Sequence, residues 1–135
     1  MSRVDLGLSA AIMTAASLVI AAAPCRAQEA GSAQPTAAQI SLGESIFLGK
    51  EAGGTCWGCH GKNGKGTGNA PDLTDATWLD ADGSLGSIES TITSGVPKPK
   101  KFAAPMPPMG GGKLSPDQVK AVAAYVYSLS QKKKK

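Results

Sequence analysis

Cys56-Trp57-Gly58-Cys59-His60 is the stretch that decides how the rest of the chain is read. It sets two thiols three positions apart and places a histidine directly after the second. His60 is the only histidine in the 135 residues, and Cys25 is the only other cysteine. These counts weigh against three ordinary uses of such a motif. A structural zinc site takes four ligands, and no further histidine is available to complete one. A redox dithiol of this spacing is expected in a βαβ setting, whereas the residues before Cys56 follow a helical pattern. A disulfide across two residues leaves His60 without a task.

The spacing suits one remaining chemistry better. Two thiols so placed can add to the two vinyl groups of a single haem, and the adjacent histidine then offers a nitrogen to the iron. A second axial ligand is expected on the other face. Methionine is the thioether option, and a His/Met pair raises the reduction potential. Beyond residue 27 the methionines are Met106 and Met109, both within Pro105-Met106-Pro107-Pro108-Met109-Gly110-Gly111-Gly112. Prolines fix φ and stiffen such a loop. The residues alone leave open which methionine reaches iron, and whether both only pack against the ring.

Outward from the motif, a first helix is predicted over residues 37–50, with Ile40, Gly43, Ile46 and Phe47 on one stripe. Gly43 costs that helix about 1 kcal/mol relative to alanine, which a closely crossing second helix explains. Residues 61–71 read as a loop, rich in glycine. A turn is expected at Asp82-Gly83, then a short helix near 87–93 and an irregular stretch over 95–112. The last helix has the clearest signals. Ser115 caps it, Pro116 suits its first turn and Gln118 completes a capping box. Val119, Val122, Val126 and Leu129 then recur at helical spacing beside Tyr125, and an end is expected near Ser130.

Composition bounds the function classes. Charged residues are 18% and hydrophobic residues 41%, which describes a folding chain rather than a disordered one. Aromatics are only 4%, so a buried cofactor helps fill the core. The net charge of +4 rests on the run Lys132 to Lys135, which argues against a nucleic-acid binder. Residues 1–27 read as a cleaved export signal: Arg3, an uncharged apolar stretch from Leu6 to Ala23, and small residues before Gln28. An uncleaved membrane anchor and a lipoprotein at Cys25 are the alternatives. Residues 28–36 are a flexible linker, 37–130 the folded domain and 131–135 a solvated basic tail. No stable membrane insertion is expected once the signal is removed.

Taken in order, Gly43-x-x-x-Phe47, Cys56-Trp57-Gly58-Cys59-His60, Ala70-Pro71-Asp72-Leu73, Met106-Pro107-Pro108 and Ser115 through Tyr125-Val126 resemble the bacterial class I c-type cytochromes over residues 37–130. The Thr77-Trp78-Leu79 and Met-Pro-Pro segments are similar to the haem domains of cbb3-type oxidase subunits. The resemblance implies an all-α fold in which the first and last helices cross around one covalently bound haem c, with Gly43 admitting Tyr125 and its neighbours and Phe47 packing beside. It implies that Cys56 and Cys59 hold the haem and that His60 and Met106 ligate iron, Met106 being favoured over Met109. It also implies that the Pro71 carbonyl accepts the other ring N–H of His60. Trp78 is either a donor to a haem propionate or a large core residue, and Trp57 is expected to be partly exposed. The function implied is one-electron carriage in the periplasm between redox protein partners, a dehydrogenase or a terminal oxidase, without catalysis. A haem subunit of a periplasmic complex is the alternative, followed by a sensor or peroxidase with open iron. Lys98, Lys100 and Lys101 are candidates for steering an acidic partner.

Overall fold

The computed structural model describes residues 34–132. The expected export signal, Cys25, most of the linker and the end of the basic tail lie outside the described residues. Four α-helices follow in order: α1 (Ala37–Phe47), α2 (Cys56–His60), α3 (Leu85–Ser94) and α4 (Pro116–Gln131), with a 3-10 turn at Pro108–Gly111 before the last. No strand forms among the described residues, in keeping with the all-α class. A lone antiparallel bridge, Val96 with Met106, is the exception to purely helical pairing.

Local chemistry sets the helix ends. Thr36 opens α1 with a reciprocal capping box. The Gln39 N–H donates to the Thr36 hydroxyl at 3.2 Å and the Thr36 N–H to the Gln39 side chain at 2.9 Å. α1 stops at Phe47, short of the predicted Lys50. Gly49 takes a φ of +75°, its N–H bonds back to Ile46 at 3.0 Å, and the Lys50 N–H reaches the Ser45 carbonyl at 2.9 Å. That pair is a Schellman closure, which ends a helix on a left-handed glycine. α3 is longer than predicted, because Ser84 rather than a later residue caps it, accepting from the Ser87 N–H at 3.2 Å. At α4 the predicted Ser115/Gln118 box is present, at 2.8 and 3.3 Å.

The core lies where α4 meets α1 and α3. Along α4, Val119, Val122, Tyr125, Val126 and Leu129 are buried together with the small residues Ala121, Ala123 and Ala124. Gly43 on α1 makes the closest approach. A β-carbon built there would lie 1.9 Å from the Ala121 carbonyl oxygen and 2.9 Å from the Tyr125 β-carbon. The two backbones cross too tightly for any side chain, so the glycine's helix penalty is offset by contact. Beside it the Phe47 and Tyr125 rings meet edge to face, centroids 5.3 Å apart at 61°. Such a pair adds about 0.5–1.5 kcal/mol beyond its buried area. The crossing fixes Phe47 and Val122 relative to the segments between them, and those segments carry the chemistry.

Candidate functional site

α2 is a single helical turn that brings Cys56 and Cys59 onto one face at i and i+3. The thiols are unbridged; Cys56 is half-buried and Cys59 exposed. Burial raises the Cys56 thiol pKa, opposed by backbone N–H groups at Cys56 and Thr55. Thr55 precedes the helix at its N-cap position, yet its hydroxyl makes no cap bond. It donates instead to the Gly110 carbonyl, far along the chain.

His60 ends the turn, half-buried. Its Nδ1 lies 3.1 Å from the Pro71 carbonyl oxygen. A carbonyl only accepts, so Nδ1 carries the proton and Nε2 keeps its lone pair. Burial lowers the His60 pKa, with the Pro71 carbonyl opposing, which favours the neutral ring. The glycine-rich loop delivers Pro71 to this position. The Gly66 N–H donates to the His60 carbonyl at 2.8 Å, the Thr67 hydroxyl to the Cys59 carbonyl at 2.7 Å, and the Leu73 N–H to the Gly64 carbonyl at 2.7 Å. Gly66 has φ +76°, and a β-carbon there would lie 2.6 Å from the Asp72 nitrogen. The loop therefore folds back on itself only because that residue is glycine.

The methionine loop is held differently. Val96 and Met106 exchange backbone bonds of 2.8 and 3.0 Å, and this fixes where Met106 stands. Residues so far apart, inside a proline-rich stretch, give no periodic signal, and sequence reasoning missed the pairing. Gly95 lies beneath, where a β-carbon would be 2.4 Å from the Met106 carbonyl oxygen. The two methionines part company here. Met106 faces a cavity shared with His60, whereas the Met109 sulfur accepts from the Leu114 N–H at 3.4 Å.

That cavity has an empty volume of about 1210 Å³, its open mouth included. Phe47, Leu73, Ile88, Ile92, Phe102, Val122 and Val126 line it, and so do Cys56, Cys59, His60, Pro71, Trp78 and Met106. The structure thus brings all six expected site residues to one space. Among the described residues no three His, Cys, Asp or Glu side chains group as a metal cluster. An imidazole nitrogen, a thioether and two nearby thiols around a mostly apolar slot, with Asn69, Asp72 and Asp80 also on its lining, form a donor set that fits a covalently held haem.

The remaining candidates sit at its edges. Trp78 lines the cavity and packs on Gly83, where a β-carbon would lie 2.3 Å from the indole nitrogen. Trp57 is 41% exposed, with the Lys62 ammonium 5.7 Å from its ring centre. Lys98, Lys100 and Lys101 are all exposed. Lys100 donates to the Leu79 carbonyl, and Lys101 lies 5.9 Å from the Phe102 ring centre. Among the described residues no helix is long and apolar enough to cross a membrane.

Residues 40–130 match the family model described as Cytochrome c. The chain is 37% identical over 91 residues to the Cbb3-type cytochrome c oxidase subunit CcoP of Rubrivivax gelatinosus, covering 67% of this chain and 26% of that protein. It is 39% identical over 89 residues to the Cbb3-type cytochrome c oxidase subunit FixP of Bradyrhizobium diazoefficiens, covering 64% of this chain and 26% of that one. The chain therefore spans about a quarter of the length of these curated relatives. Among solved structures it is similar to cytochrome CL of Methylophaga aminisulfidivorans, with a TM-score of 0.55 and 23% identity over 72% of this chain and 57% of that one. That last likeness concerns the fold.

Proposed function

This chain belongs to the cytochrome c family and resembles the haem domains of the cbb3-type oxidase subunits; on that premise we propose that it is an exported, periplasmic mono-haem cytochrome that passes single electrons between redox proteins and performs no catalysis of its own. Its cofactor is haem c, held through Cys56 and Cys59. The observation that carries the proposal is that His60 and Met106 line one mostly apolar cavity, each fixed by backbone.

The haem iron supplies the one-electron couple when bound. The chain's own residues do the rest. Pro71 holds the imidazole in the tautomer that presents Nε2 to the cavity. Met106 offers its sulfur from a loop anchored at Val96. His60 and Met106 would together hold the iron from positions already fixed by backbone, so that little would need to move when the charge changes. The walls of Ile88, Ile92, Val122 and Val126 exclude water, and the low dielectric tunes the potential. Trp78 stands at the cavity with an indole N–H suited to a propionate. The exposed lysines Lys98 and Lys101 supply positive charge for a transient acidic partner.

The test is an optical spectrum of the haem-loaded protein, reduced, with and without carbon monoxide. A low-spin c-type spectrum unchanged by carbon monoxide is expected. A spectrum that shifts with carbon monoxide points to open iron and to a sensor or peroxidase. Met106→Ala is expected to open the iron, and an unchanged spectrum in that variant removes Met106 as a ligand.

A second reading follows from the relatives, which are oxidase subunits. In it the chain serves as a fixed haem subunit of a larger redox complex. Gel filtration of a cell extract separates the two: a free carrier elutes as a monomer, and a subunit co-elutes with a partner.

A further inference from the structure

Met109 has an unusual backbone for a residue with a side chain. Its φ is 54° and ψ 26°, in the left-handed region, and Gly110 and Gly111 continue there at φ 65° and 85°. Glycine adopts this conformation without strain, whereas a linear side chain does not. Such an outlier persists only where its surroundings fix it. Two backbone bonds close the turn, the Gly110 N–H to the Pro107 carbonyl at 3.0 Å and the Gly112 N–H to the Met109 carbonyl at 3.2 Å, and one side-chain contact adds to them. The Met109 sulfur accepts the N–H of Leu114, a residue 8% exposed that leads into the Ser115 cap of α4. A part-buried N–H without a partner is disfavoured, so this bond ties the methionine loop to the start of the last helix. The loop is then secured along its length: Met106 by Val96, Met109 by Leu114, Gly110 by Thr55.

We propose that Met109 is a positioning residue: its thioether acts as an acceptor for the Leu114 amide, locks the left-handed turn, and so holds Met106 at the cavity. This rests on the reading of Met106 as the iron's second axial ligand. The sulfur is used for its lone pair toward a backbone donor, a role that leucine lacks and glutamine supplies through its side-chain carbonyl.

The test compares Met109→Leu with Met109→Gln in the haem-loaded protein. Leucine keeps the apolar bulk and removes the acceptor. Glutamine keeps the linear stem and restores one. Two readouts are taken: hydrogen exchange at the Leu114 amide, and carbon monoxide binding to the reduced protein. In Met109→Leu, protection of the Leu114 amide is expected to fall about fivefold, the worth of one ordinary hydrogen bond, and carbon monoxide is expected to bind faster. In Met109→Gln both are expected to return toward the parent. If Met109→Leu keeps parental protection and stays closed to carbon monoxide, the proposal is overturned. Equal loss in both variants overturns it too, because packing rather than the acceptor is then responsible. The ligand reading fails separately: Met106→Ala that remains low-spin, alongside Met109→Leu that opens the iron, makes Met109 the ligand and ends the positioning role.

Discussion

The Thr55 hydroxyl donates to the Gly110 carbonyl, joining the residue before Cys56 to the end of the methionine loop. A threonine at a helix N-cap ordinarily accepts from its own helix. This one makes no such bond and spans the gap between the elements that carry Cys56 and Met106. The two segments are thereby linked through that side chain.

Thr55→Val tests that coupling. The variant keeps the shape and loses the donor, and it is expected to be less stable by about 0.5–1.5 kcal/mol. Thr55→Ser is expected to stay near the parent. Urea titration measures the first effect. Carbon monoxide binding to the reduced protein, expected to be faster in the valine variant, measures whether the methionine loop loosens.

Gly43→Ala separates two opposing effects. Helix propensity alone favours alanine by about 1 kcal/mol. The new β-carbon, however, would lie 1.9 Å from the Ala121 carbonyl oxygen, which is backbone and cannot rotate away. Overpacking of this kind costs about 1–3 kcal/mol, occasionally more. Net destabilisation is therefore expected by urea or thermal unfolding. A gain in stability would mean that α1 and α4 do not cross at this glycine.

Asp82 gives a pH dependence. The Ser84 side chain and N–H donate to its carboxylate and lower its pKa below the ordinary 3.8. A carboxyl depressed in the folded state contributes stability that is present above its unfolded pKa and lost as pH falls through the folded one. The start of α3 is thus expected to loosen only below about pH 4. Exchange at the Ser84 amide against pH checks this. Asp82→Asn, which keeps an acceptor and no titrating group, is expected to flatten the profile.

Gly83→Ala is expected to displace Trp78. The position has φ +85°, and the added carbon would meet the indole ring at 2.3 Å. Left-handed backbone costs a side-chain residue about 1–2 kcal/mol, and the ring must move as well. Fluorescence in a Trp57→Phe background reports Trp78 alone, and a shift of its emission is the expected sign.

What could be read without coordinates was local or motif-borne. The α4 cap depends on Ser115 and Gln118, which are neighbours in sequence, and it was legible there. Gly43 announced a crossing because a glycine inside a good helix needs a reason. The end of α1 was misplaced by three residues: the apolar stripe itself stops at Phe47, and the closure that Gly49 marks was passed over. The Cys56 to His60 motif stood out by spacing. The Val96 to Met106 bridge, the Thr55 to Gly110 bond and the separation of Met109 from the cavity did not, because each depends on residues that only the folded chain brings together.

The crossing of α1 with α4 also sets an order of events. Val122 and Val126 wall the cavity from the last helix, while Cys56, Cys59 and His60 come much earlier in the chain. A chain that emerges from its N-terminal end therefore exposes both thiols well before their far wall exists. Long-range closure of this kind is slow relative to local helix formation. The interval leaves the thiols accessible to a bulky planar reactant that the finished cleft would admit only through its mouth, so covalent loading is easiest before the last helix docks.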